Sequence, residues 1–116
     1  MKLSEAILIG AKATKKTIGI RHTDDREGKP NSTCALGAAE WAIGKEYYWE
    51  AETYWPELDN PYLNPQTKET YSLNSVIADL NNGEYGEGGR PWSRERIARW
   101  LAAHGPRYAR LGAVYL

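Results

Sequence analysis

The sequence contains no phenylalanine, one cysteine, one methionine and two histidines in 116 residues. A single thiol, Cys34, excludes an internal disulfide and a multi-cysteine metal cage. With no Phe, five Trp and eight Tyr must supply the aromatic part of any core, and each carries an N–H or O–H that needs a partner when buried. Net charge is lacking too: fifteen Lys and Arg stand against fifteen Asp and Glu, so no global field draws in nucleic acid or an anionic membrane. No stretch approaches the roughly 18 apolar residues of a spanning helix. The apolar run in MKLSEAILIGAKATKK is too short for a signal peptide. The expectation is a cytoplasmic chain forming one domain, with 41% hydrophobic and 26% charged residues, a globular composition.

The charge that is present is unevenly placed. Residues 1–39 carry seven basic and four acidic side chains, residues 40–69 two and seven, residues 70–89 none and three, and residues 90–116 six and one. An acidic middle is followed by a basic end, and pairing of the two within the fold is the simpler expectation.

Periodicity predicts a mainly α fold: a compact single-domain bundle of four to five helices spanning residues 1–116, with a long Pro-rich loop and a Gly-rich turn. The helices fall near 4–14, 34–44, 72–82 and 93–104. Ser4 is placed to cap the first, where Leu3, Ile7 and Ala11 recur at helical spacing. Ser32 or Thr33 is placed to cap the second, whose body of Ala35, Gly37, Ala38, Ala39 and Ala42 permits close helix approach. Gly44 stops it. Lys45 to Trp55 reads as a further helical stretch ended by Pro56. Thr17 to Asn31 reads as a short extended piece running into a charged loop, and Pro56 to Tyr71 as loop. Ser72 opens the helix of Leu73, Val76, Ile77 and Leu80, and Asn81-Asn82-Gly83 closes it. The Gly-rich turn from Gly83 to Gly89 follows. Ser93 opens the last helix, with Trp92 and Ile97 at staple spacing, and His104 is expected on its buried face. Leu36, Ile43, Ile77, Leu80, Ile97 and Leu101 are the expected core, and the apolar tail of Leu111, Val114, Tyr115 and Leu116 is expected to dock.

The opening Met1-Lys2-Leu3-Ser4-Glu5-Ala6-Ile7, the middle Cys34-Ala35-Leu36-Gly37-Ala38-Ala39, and Leu80-Asn81 followed by Trp92-Ser93-Arg94-Glu95-Arg96-Ile97-Ala98 together resemble a family of small proteins of bacteria and their phages. The resemblance runs in order over most of the chain. It implies a compact domain and a phage or prophage setting, and no activity. The stretch from Gly83 to Pro91 is longer than that family's link, and Pro61 to Tyr71 lacks the cysteines of some members, so a metal role does not carry over. Residues 76–101 also resemble, locally, the helix-turn-helix-like segment of large serine recombinases. Only a DNA contact could follow from that, because no catalytic domain precedes it.

Two surfaces and one thiol are the functional candidates. Trp41, Tyr47, Tyr48, Trp49, Tyr54 and Trp55, interleaved with Glu46, Glu50, Glu52 and Glu57, are too many polar-tipped aromatics for a small interior. At least two of Tyr47, Tyr48, Trp49, Tyr54 and Trp55 should stand exposed as a protein-binding patch. Arg90, Arg94, Arg96 and Arg99, at the start of the last helix, are the alternative: a phosphate-binding edge for nucleic acid, set against a plain solvated face. Cys34, with His22 and Asp24 or Asp25 upstream, makes a Cys–His nucleophile conceivable, but a small buried residue is the commoner role. His22, Asp24, Asp25 and Glu27 are weakly spaced for a metal, so no metal, cofactor or catalytic residue is expected. The leading expectation is a non-enzymatic protein-binding module with an unidentified protein partner and no membrane contact.

Overall fold

The computed structural model describes residues 1–24, 26–28, 30–44, 51–83 and 90–103. Helix α1 runs Leu3–Ala13 and α2 Ala35–Ala42; a single turn, α3, spans Ala51–Tyr54; α4 is Leu73–Asn82, and α5 covers 94–103. Between them lie strands β1 (Lys15–Lys16), β2 (His22–Asp24), β3 (Pro30–Thr33), β4 (Pro61–Leu63) and β5 (Thr70–Ser72). The fold is therefore mixed α/β: the helices of the expected mainly α bundle are present, and two small sheets that were not expected accompany them. β3 lies between β1, parallel to it, and β2, antiparallel to it. β4 and β5 form an antiparallel hairpin pairing Tyr62 with Tyr71. These strands have two to four residues, too few and too polar to show an alternating pattern.

The expected loop from Pro56 to Tyr71 is ordered by local chemistry. A 3-10 turn, Pro56–Asp59, follows Trp55. In the hairpin turn Asn64 Oδ1 accepts the Gln66 and Thr67 N–H groups at 2.8 and 3.2 Å, an Asx turn.

The helices fall close to their expected places, with two caps corrected. α1 starts one residue early on Lys2, with no side-chain cap, so Ser4 lies inside the helix. α2 is capped by Cys34, whose Sγ accepts the Gly37 N–H at 3.4 Å. Ser32 and Thr33 belong to β3 instead. Ser72 caps α4 through Ser75 N–H, and Gly83 closes that helix in the left-handed conformation. Ser93 Oγ accepts the Arg96 N–H at 3.0 Å at the start of α5.

α1 and α2 pack through their small residues. A Cβ on Gly10 would collide with the Ala38 backbone, so glycine sets that spacing. Leu36, Ile77, Leu80, Ile97 and Leu101 are buried with Ile7, Leu58, Leu73 and Val76, and Ile43 is half-buried against them. Trp92 and Tyr62 both meet Trp100 edge-on, at 6.4 and 6.5 Å between centroids. No helix among the described residues is long and apolar enough to cross a membrane. Lys45, His104, the tail from Gly105 to Leu116 and most of the Gly-rich turn lie outside the described residues.

Candidate functional site

Residues 17–21 connect β1 to β2 and form a strap across the start of α2 and one face of α4. The strap carries one proline-free, glycine-containing run, Thr17-Ile18-Gly19-Ile20-Arg21, and its backbone is held at every second position. Thr17 N–H donates to Thr33 O at 3.0 Å, and Cys34 N–H donates to Arg21 O at 2.9 Å. Gly19 N–H donates to Asn82 Oδ1 at 2.9 Å. Asn81 Nδ2 donates to Thr17 O at 3.0 Å, while its Oδ1 accepts the Ala35 N–H at 3.1 Å. A single buried amide thus satisfies the strap and the first turn of α2 together. Gly37 completes the fit, since a Cβ there would collide with Arg21 O.

With its backbone so fixed, the strap leaves Ile18 and Ile20 in solvent, 51% and 54% exposed. Beside them is an open cavity of about 490 Å³, lined by residues 19–22, by Cys34 and Leu36, and by Ala78 and Asn82 of α4. Asn74, Ala78 and Asn82 recur every four residues, so one face of α4 meets the strap along its length.

Arg21 carries the strap into a polar cluster. Its guanidinium donates to Glu40 Oε1 of α2 at 3.2 Å and to Glu52 Oε1 of α3 at 3.4 Å. It also reaches Asn74 Oδ1 of α4 at 3.4 Å, and Asn74 Nδ2 donates to Glu52 Oε1 at 2.8 Å. Glu40 is only 3% exposed, and its Oε2 has no hydrogen-bond partner among the described residues. Burial pushes its carboxyl up to about 7, against the opposing pull of Arg21, because charge is costly away from water. A carboxyl closed off in this way cannot touch a substrate, whereas Arg21 and Glu52 beside it remain partly open.

Cys34 shares the cavity lining with His22, but burial raises its thiol pKa, outweighing the lowering effect of the Gly37 N–H. A nucleophilic cysteine needs the reverse. His22 pairs with Asp24 at 3.3 Å. Among the described residues no three His, Cys, Asp or Glu side chains are grouped to hold a metal; Asp25 lies outside them.

Of the five aromatics expected at a binding patch, Tyr47, Tyr48 and Trp49 lie outside the described residues, as do Glu46 and Glu50. Tyr54 is 48% exposed, and Trp41 is exposed as well. Trp55 is a correction: it is 4% exposed, a core residue. The 3-10 turn after it folds the chain back, and its Nε1 donates to Met1 O at 3.1 Å, so the indole N–H is satisfied inside.

The arginines divide likewise. Arg90, Arg96 and Arg99 are exposed, and the Arg96 guanidinium lies 3.8 Å from the Trp92 ring centroid, a cation–π contact. Arg94 is the second correction: it is 5% exposed. It donates to Thr14 O at 2.7 Å, Thr14 Oγ1 and Thr33 Oγ1 at 2.9 Å, and Ala11 O at 3.1 Å. These acceptors include carbonyls at the end of α1, where a cation is favoured. Helical spacing marks this position, since Arg94 precedes Ile97, Ala98 and Leu101 by three, four and seven residues. The strap, Asn81 and Glu40 were absent from the sequence-based candidates. Asn81 and Glu40 stand four residues after Ile77 and Leu36, on the apolar stripes of their helices.

No family model, curated protein or solved structure matches the chain.

Proposed function

We propose that this chain is a small non-enzymatic binding module that captures an apolar segment of a partner protein over the strap and its cavity. The observation that carries the reading is the pairing of exposed Ile18 and Ile20 with a backbone tied on both sides. Such a strap cannot fold its isoleucines inward without breaking these backbone hydrogen bonds, and a partner covering the exposed half of each side chain gains roughly 1 kcal/mol apiece. Exposed Tyr54 and Trp41 support an accessory aromatic contact, of which Tyr47, Tyr48 and Trp49 are the proposed remainder. The resemblance to small bacterial and phage proteins supports a phage or prophage setting. Nucleic-acid binding through Arg90, Arg96 and Arg99 is the competing outcome, without Arg94.

The test is affinity capture of host and phage proteins, followed by binding measurements on the species retained. An Ile18→Asp/Ile20→Asp double variant should lose it at least tenfold, with unfolding unchanged. Tyr54→Ala should weaken it less. Equal capture by the double variant, or salt-sensitive DNA retention abolished by Arg96→Glu and Arg99→Glu, would overturn the reading.

A further inference from the structure

Four parts of the fold meet at one guanidinium: the strap through Arg21, α2 through Glu40, α3 through Glu52 and α4 through Asn74. Among the described residues the cluster sets two carboxylates, Glu40 and Glu52, against the one guanidinium. The imbalance falls on Glu40, because its Oε2 is buried and makes no hydrogen bond among the described residues, the Ala51 N–H offsetting its burial only in part, whereas the Glu52 side chain is partly open to water. The ligand that fits a lone buried carboxylate oxygen in so closed a place is a proton.

We infer that Glu40 is a proton-operated clamp on the strap. Ionised, Glu40 shares Arg21 with Glu52 and ties the strap to α2. Protonated on Oε2, it keeps a carbonyl acceptor at Oε1 but loses its charge, so the guanidinium shifts its balance towards Glu52 and Asn74 and its tie to α2 loosens at that point. Residues 17–21 carry Ile18 and Ile20, so proton uptake changes the presentation of those side chains. The clamp concerns the strap itself and does not depend on partner capture.

Among the described residues, few other groups can produce such a response. From α3 the charged group is Glu52, α4 supplies the neutral Asn74, and β3 supplies the buried neutral Thr33. α1 meets α2 through Gly10 and Ala38, and its charged Glu5 and Lys12 are exposed. The α2 cap holds Cys34, whose raised thiol titrates in the alkaline range. His22 stands beside the strap and pairs with Asp24, so it is the group to control.

Amide spectra recorded from about pH 5.5 to about pH 8.5 test the clamp. The reporters are the N–H groups of Gly19 and Cys34, which bond Asn82 Oδ1 and Arg21 O. Both should move together with a midpoint at about 7 in the wild-type chain and in His22→Gln. In Glu40→Gln they should stay at their acid positions. Movement that survives in Glu40→Gln, vanishes in His22→Gln, or is missing from the wild type overturns the clamp. Should Glu40→Gln fail to fold, carboxyl carbon titration of labelled glutamates decides instead. A resonance with that midpoint, retained in Glu52→Gln, supports the clamp, and none titrating above about pH 6 overturns it.

Discussion

The Arg94 guanidinium donates to the Thr14 carbonyl at 2.7 Å, joining two residues eighty positions apart. No carboxylate contacts it among the described residues; the end of α1 and the hydroxyls of Thr14 and Thr33 take its place. Arg94→Met strands several buried acceptors and should cost on the order of 3 kcal/mol. Arg94→Lys should recover only part, because one ammonium cannot span the same set. Arg99→Ala, at an exposed position, should change stability by no more than about 0.5 kcal/mol. Urea unfolding of the three variants checks the ranking.

Asn81 gives a second measurable dependence. Asn81→Ala leaves the Ala35 N–H and the Thr17 carbonyl without their partner, a loss of about 2–3 kcal/mol. Asn81→Asp keeps the acceptor for Ala35 but buries a carboxylate against the Thr17 carbonyl, so at neutral pH its cost should match or exceed that of alanine. Thermal and urea unfolding should agree on this order.

Glu40 sets a pH dependence whose sign is fixed by its raised carboxyl. The fold keeps that proton to about 7, while the unfolded chain releases it near 4.5. Between those values the native state binds more protons than the unfolded state. Its contribution to stability is therefore fully present below about 4.5, declines as pH rises to about 7, and is level beyond. At about 1.4 kcal/mol per pH unit the span is on the order of 3 kcal/mol. The ionised state thus ties the strap while weakening the fold as a whole. The difference between wild type and Glu40→Gln in urea unfolding, measured at about pH 5 and about pH 8, should show this decline. No difference between the two pH values would contradict it.

Adjacent aromatics should behave oppositely. Trp55→Ala empties a core position and breaks the bond to Met1 O, costing about 3–5 kcal/mol. Tyr54→Ala removes an exposed ring and should stay within about 0.5 kcal/mol. Calorimetry of the two variants separates a folding role from a surface role.

The helices were legible because Leu, Ile and Val recur at helical spacing and because Ser72, Ser93 and Gly83 mark their ends. The strands were not legible. Lys15-Lys16, His22-Thr23-Asp24 and Pro30 to Thr33 are polar throughout, and backbone pairing alone places them. The most informative positions were visible in the pattern but disguised by their chemistry. Glu40, Asn81 and Arg94 occupy apolar-stripe positions in α2, α4 and α5, where a period count points inward and residue type points outward. The three side chains are buried, so the period decided, and each holds a segment remote in sequence.

The position of Arg94 also bears on how the chain folds as it is made. Its acceptors, at Ala11, Thr14 and Thr33, leave the ribosome early, and their donor arrives some sixty to eighty residues later. Until then the Thr14 and Thr33 hydroxyls can bond each other and the Gly10 carbonyl, but the Ala11 and Thr14 carbonyls lack the guanidinium that joins them to α5. Full satisfaction of this junction therefore depends on a residue some eighty positions further along the chain, and the contact of α1 with β3 is completed only when α5 packs.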